Sequence, residues 1–161
     1  MAGFFKELGA HVIDADRLVH KIYRTDSGIR KKIRGEFGSK VFTRGRVDRK
    51  KLARSAFSGR KRLAALCDIV YPETIKRIKE EVGKAKEDVV VLDAPMLIEA
   101  GLGNYVDYIV VVRRSLRNRA LKRAAFQMPL SEKVKRADFI IDNNRAKKYT
   151  RKKVEEIWQK L

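Results

Sequence analysis

Apolar positions along this chain follow two rules. In four places they form short runs: His11-Val12-Ile13, Val89-Val90-Val91-Leu92, Tyr108-Ile109-Val110-Val111-Val112 and Phe139-Ile140-Ile141. Runs that are brief, β-branched and without alternation are the signature of strands buried on both faces. Elsewhere the apolar residues recur at helical spacing. The pattern predicts a helix over 2–8 stopped by Gly9 as its C-terminal cap, and another from about Asp16 to Tyr23. Ser27 is read as the N-cap of a basic helix ending near Phe37-Gly38, and Asp48 as the cap of a helix through Phe57. A further helical run covers Arg60–Val70, and Pro72 at a first-turn position opens a long helix to about Ala85. Pro95–Ala100 predicts a short helix ended by Gly101; Ser115–Arg123, Ser131–Arg136 and Thr150–Leu161 predict three more. The stretch Lys40–Arg46 reads as a turn.

Buried strands alternating with helices predict an α/β fold with a parallel sheet covered on both faces. The run of helices between the first two visible strands is too long for a simple crossover. It predicts a helical subdomain over 17–85. No internal repeat and no Pro/Gly/Ser-rich linker interrupts the chain.

Composition narrows this picture. The 161 residues suit one compact domain with a small insertion. The longest apolar runs are far too short to cross a bilayer, and the first residues lack the apolar stretch of a secretory signal. A lone cysteine, Cys67, has no disulfide or metal-site partner and sits in a helical pattern as a small core residue. These features predict a soluble, cytoplasmic protein. Thirty-nine Lys and Arg against 20 Asp and Glu give a formal charge of +19, a field that attracts polyanions. The basic residues are spread over almost every predicted helix without a dense tract. A solvated basic surface accounts for much of the excess.

The candidate chemistry lies where ligands bind in open parallel sheets, at the carboxyl ends of the strands. Three strands end in acid: Ile13 runs into Asp14 and Asp16, Leu92 into Asp93, and Ile141 into Asp142. An acid just past a strand is also a good helix cap, and Asp142 is read that way. Asp93, after four apolar residues, has the form of a Walker B acid that holds Mg²⁺ directly or through water. At 14–16, one carboxylate can brace the strand end while the other accepts the proton of an attacking hydroxyl. Arg119 and Arg123, spaced i and i+4, share a helix face from which two guanidinium groups could spread the charge of a transferring phosphoryl group. Arg117 is read as part of a solvated basic face.

Four blocks then occur in order: Gly9 to Asp16; Val89–Asp93 continuing through Ala94-Pro95-Met96-Leu97-Ile98-Glu99-Ala100-Gly101-Leu102; Gln127 to Lys133; and Ala137 to Asn143. Together with Asp48-Arg49-Lys50-Lys51-Leu52-Ala53 and Ile69-Val70-Tyr71-Pro72, they resemble the dephospho-coenzyme A kinases over residues 2–161. Each block is modestly specific, but four in order are strong. The resemblance implies transfer of the γ-phosphoryl of ATP, with Mg²⁺, to the 3′-hydroxyl of dephospho-CoA, the last step of CoA synthesis. The implied fold is the three-layer one of P-loop kinases, a parallel sheet with helices on both faces. It would form a single kinase domain over 1–161, with a helical CoA-side subdomain at 17–85 and an incomplete lid region at 115–136.

By position, Asp16 resembles the family's catalytic base, with Asp14 bracing it on the acceptor side. Arg119, followed by Lys122-Arg123, resembles the arginine at the transfer site; Arg123 is assigned with it to the nucleotide phosphates. Asn143 falls in the adenine-side loop, and Asp93, Pro95, Leu97 and Glu99 in the segment that shapes the acceptor cleft. Leu97 is read as core. Asp93 is also the metal candidate.

Three departures stand out. No Gly-x-x-x-x-Gly-Lys-[Ser/Thr] occurs in the chain. The resemblance therefore implies that this phosphate-cradling loop and the sheet's central strand precede Ala2 in the intact protein. Arg123 runs almost directly into Gln127 where the family has a longer lid, and Val112–Arg119 is also short. Tyr71 stands before Pro72 where the family has histidine, which gives the acceptor side a phenol for an imidazole. Two other readings compete: a non-catalytic remnant binding CoA-like or other polyanions, and, weaker, a basic nucleic-acid-binding module. The latter lacks a recognised signature or an aromatic platform.

Overall fold

The computed structural model describes residues 1–114 and 127–161, and these divide into two compact units. The first comprises Met1–Ile13 with Ala85–Leu161, the second the continuous stretch Asp14–Lys84. The helix expected over Ser115–Arg123, with Arg117, Arg119, Lys122 and Arg123, lies outside the described residues.

The first unit starts with helix α1 (Ala2–Glu7), which buries Phe4 and Phe5. Gly9, at φ +106°, takes a conformation that an L side chain resists, and so turns the chain out of α1 into strand β1 (His11–Asp14). Strand β1 pairs with β4 (Val90–Asp93). Strand β5 (Val110–Arg113) pairs in parallel with β6 (Phe139–Asp142), with Val111 opposite Ile140 and Arg113 opposite Asp142. Among the described residues the strands of this unit form two pairs, β1 with β4 and β5 with β6. Phe4, Phe5, Ala10 and Ile141 pack with Val154 and Ile157 of the C-terminal helix (Lys147–Trp158) into one core. That helix presents Thr150, Val154 and Ile157 at i, i+4 and i+7, and it starts three residues before the expected Thr150.

The second unit is mainly helical. Helix α2 (Ala15–Thr25) begins under Asp14, whose Oδ1 accepts the Arg17 N–H at 2.8 Å. Helix α3 (Ser27–Phe37) is capped by Asp26, which accepts the Ile29 N–H at 2.8 Å; Ser27 is its first residue and not its cap. A carboxylate one position earlier wins because it also faces the positive end of the helix dipole. Lys40–Arg46 folds into more than a turn. After a short 3₁₀ stretch (Ser39–Val41), strands β2 (Phe42–Thr43) and β3 (Arg46–Val47) form a hairpin. Its two tip residues, Arg44 and Gly45, both have positive φ (50° and 74°), as two-residue hairpin loops require.

Helix α4 (Arg49–Ala56) has the expected cap. Asp48 Oδ1 accepts the N–H groups of Lys50 and Lys51, and its Oδ2 accepts the Thr43 hydroxyl at 3.0 Å. These bonds, the Lys51 N–H first and the Thr43 hydroxyl next, hold the Asp48 carboxyl below the usual carboxylate range. Its folded pKa is depressed, so its contribution is complete above the unfolded value and is lost as pH falls through the folded one. Asp48→Ala is therefore expected to lower the melting temperature at neutral pH and to make little difference in strong acid. Melting curves against pH, read by circular dichroism, check this.

The two helices expected on either side of Tyr71 are one, α5 (Arg60–Val82), with Pro72 inside it. Proline removes a hydrogen bond and normally breaks a helix at a cost of about 3 kcal/mol. Here Leu63, Val70, Thr74 and Ile78 are buried on one face before and after it, and packing outweighs the local penalty. Beyond β4, residues 95–100 form turns, not the expected helix, and Gly101 at φ +70° leads into a 3₁₀ stretch, Leu102–Tyr105. Helix α6 (Leu130–Lys135) falls near its expected place, and the C-terminal helix is α7.

Candidate functional site

At 14–16 the second unit assigns the two carboxylates different tasks. Asp14 is spent on the backbone as the cap of α2. Asp16, in the first turn of that helix, is exposed and has no hydrogen-bond partner among the described residues. Spacings of four and seven put His20 and Tyr23 on the Asp16 face of α2. Burial pushes the His20 imidazole down, the Arg49 guanidinium adds to this, and the Asp16 and Asp14 carboxylates oppose it. Burial likewise pushes the Tyr23 phenol up, reinforced by Cys67 and Asp16. Asp16, His20, Tyr23 and Arg49 thus feel one another's charge. An imidazole with a lowered pKa is neutral at pH 7, which leaves Arg49 as the cation of the group.

Tyr71 lies within α5, half-buried, and hydrogen-bonds with Cys67 one turn earlier. Cys67 is itself half-buried, and burial pushes its thiol up.

In the first unit, Asp93 ends β4 as an exposed carboxylate. Among the described residues no cluster of three or more His, Cys, Asp or Glu gathers as a ready-made metal cage. One carboxylate suits Mg²⁺ carried on nucleotide phosphates, because that ion keeps most of its water and takes one or two protein oxygens. Pro95 is exposed, and its carbonyl accepts Lys133 Nζ at 2.8 Å. Glu99 is committed to the protein: Oε1 accepts Lys133 Nζ at 2.8 Å and the Met128 N–H at 2.9 Å.

Asp142 caps no helix, contrary to the sequence reading. Its Oδ1 accepts the backbone and side-chain N–H of Asn144, and its Oδ2 pairs with Arg113 at 3.1 Å. These bonds, the Asn144 N–H first, hold its carboxyl below the usual range. The turn they stabilise presents Asn143, whose N–H bonds to the Arg113 carbonyl at 2.9 Å and whose Oδ1 accepts the Thr150 hydroxyl at 3.0 Å. Asn143 borders an open cavity of roughly 440 Å³ that Phe4, Arg114, Arg145, Lys147 and Thr150 also line. Lys147 Nζ lies 5.4 Å and the Arg151 guanidinium 4.8 Å from the Phe4 ring centroid. Phe4 is buried and forms part of the cavity wall, while the cavity-lining cations Arg114, Arg145 and Lys147 suit anionic groups such as phosphates.

The sequence reading named Asp14, Asp16, Asp93, Pro95, Glu99, Tyr71 and Asn143, and missed His20, Arg49, Arg145, Lys147 and Lys133. The spacing of four from Asp16 was a usable signal for His20. Nothing local marks the others among so many basic residues.

The family model for dephospho-CoA kinase matches residues 1–148. A dephospho-CoA kinase of Aquifex aeolicus is 34% identical, over 100% of this chain and 90% of its own length. One from Carboxydothermus hydrogenoformans is 36% identical over 96% and 84%. A crystal structure of a Thermus thermophilus protein superposes with a TM-score of 0.80 at 27% identity, covering 99% of this chain and 89% of that one. The dephospho-CoA kinase from Campylobacter jejuni, at 21% identity and a TM-score of 0.67, shares the fold. The chain belongs to the dephospho-CoA kinase family.

Proposed function

We propose that the full-length protein transfers the γ-phosphoryl group of ATP to the 3′-hydroxyl of dephospho-CoA, giving CoA and ADP. The observation that carries the mechanism is the division of labour at 14–16. With Asp14 consumed as a helix cap, Asp16 keeps a carboxylate whose lone pairs are uncommitted. It takes the proton of the 3′-hydroxyl as the bond from that oxygen to the γ-phosphorus forms. The bond from phosphorus to the β-bridging oxygen breaks, and ADP carries away that electron pair. Arg49 adds positive charge for the anionic acceptor, and Tyr71 belongs to the acceptor side.

On the nucleotide side, Asn143 shapes the adenine loop beside the Phe4 and Lys147 cavity. Asp93 would hold Mg²⁺ together with the nucleotide phosphates, and that ion would supply positive charge against the transferring group; Pro95 and Glu99, in the loop that follows, shape the acceptor cleft. Arg119 and Arg123 are assigned to the transfer site from sequence alone. A protein working on two free metabolites fits a cytoplasmic setting. Among the described residues, no helix is long and apolar enough to cross a membrane.

The test is coupled ADP release from the full-length protein with ATP and Mg²⁺, with and without dephospho-CoA. ADP should appear only when dephospho-CoA is present, in step with CoA formed. ADP release without the acceptor, or none with it, would overturn the reading.

A further inference from the structure

We propose that Lys133 is a positioning residue, which fixes the loop after Asp93 through bonds to Glu99 and to the Pro95 carbonyl and so sets where the acceptor sits. This rests on the function proposed above. The loop, residues 94–101, follows a strand at the end where ligands bind in α/β sheets. It has no helix or strand to hold its shape. Its own bonds are turn bonds, from the Leu97 N–H to Ala94, Ala100 to Met96, and Leu102 to Leu97. Lys133, on α6, reaches into it at two points, Glu99 Oε1 and the Pro95 carbonyl, both at 2.8 Å. The Met128 N–H, two residues ahead of α6, adds a third tie to Glu99.

The chemistry of this tie is unusual for a surface so rich in lysine. The Lys133 and Glu99 side chains are only 15% and 14% exposed, and Glu99 Oε2 is buried without a partner among the described residues. A buried ion pair gains little net stability over an apolar pair of similar volume, because both charges lose their water. What it supplies is direction, since the ammonium satisfies two oxygens only when loop and helix are in one register. Lys133 is also the cation that balances the buried Glu99 carboxylate.

Two variants separate positioning from stability. Lys133→Met leaves the carboxylate unpaired, so it should lose both folding stability and loop position. The double variant Glu99→Gln with Lys133→Met removes the stranded charge, and the glutamine carbonyl still accepts the Met128 N–H. It should regain most of the melting temperature but not the loop. In both variants kcat/KM for dephospho-CoA should fall about 10- to 100-fold, with KM for ATP within about twofold of the parent. Hydrogen exchange at Leu97, Ala100 and Leu102 should quicken in both. Activity that returns in step with melting temperature, or unchanged exchange in the loop, would overturn the proposal. Should the parent protein itself show no kinase activity, the function assigned above fails. Faster loop exchange in the variants would still support the fixing role of Lys133.

Discussion

Asp16→Asn lowers kcat by about 10²- to 10⁴-fold, the range a positioned general base contributes, while ATP binding measured by calorimetry stays close to the parent value. The amide keeps the shape and removes the basic oxygen, and Asp16 holds no part of the fold together, because α2 is capped by its neighbour. The contrast with Asp14 makes the prediction sharp. Asp14→Asn should be nearly silent in stability, since asparagine caps as well as aspartate, whereas Asp14→Ala should destabilise α2. Normal turnover by Asp16→Asn would end its assignment as the base. Equal losses at both positions would show that the two carboxylates do not divide the work.

The largest stability effect is expected at Phe37. Its side chain is 1% exposed, it closes α3, and the Arg62 guanidinium lies 5.3 Å from its ring centroid. Phe37→Ala should cost about 3–5 kcal/mol, from lost transfer energy and the cavity left behind. Arg62→Ala should cost only about 0.5–1 kcal/mol, the worth of a partly exposed cation over a ring. Urea unfolding of the three proteins reads both values. A Phe37→Ala loss near 1 kcal/mol would mean the site collapses around the smaller side chain, so that Phe37 fills space without organising it.

Much of this arrangement was legible in the sequence because its signals are local. Asp48 before a basic helix, Gly9 after Leu8, and the β-branched run ending in Asp93 each declare a cap, a stop or a strand within a few residues. The misreadings at Pro72 and Asp142 share the opposite cause. Pro72 breaks a helix on local grounds, but buried Val70, Thr74 and Ile78 make the long helix pay overall. Ser27 has the side chain of a cap, but the carboxylate of Asp26, one position earlier, takes the Ile29 N–H in its place. Asp142 follows a strand as a cap would, yet its partners are Asn144 and Arg113, the latter 29 positions back in the chain. For the candidate site, Asp16 was visible from its place after a strand. Glu99 was visible too, but its partner Lys133 is one of many lysines until the fold brings it to the carboxylate. Pattern reveals the element that carries a residue; it does not reveal which distant residue will answer it.

The two compact units are interleaved in an uneven way: one is a single stretch of chain, and the other is split around it. This fixes an order of birth on the ribosome. Residues 14–84 emerge whole, rich in short-range helical contacts, before either strand pair of the other unit can form. Strand β1 is made before them but must wait for Val90–Asp93 to find its neighbour. Throughout that delay its edge is unpaired, a place for wrong pairing or for a chaperone to hold. The nascent protein therefore owns Asp16 and its helix well before it owns the strand pairs of the other unit, and slow translation just after Lys84 would lengthen the period of greatest risk.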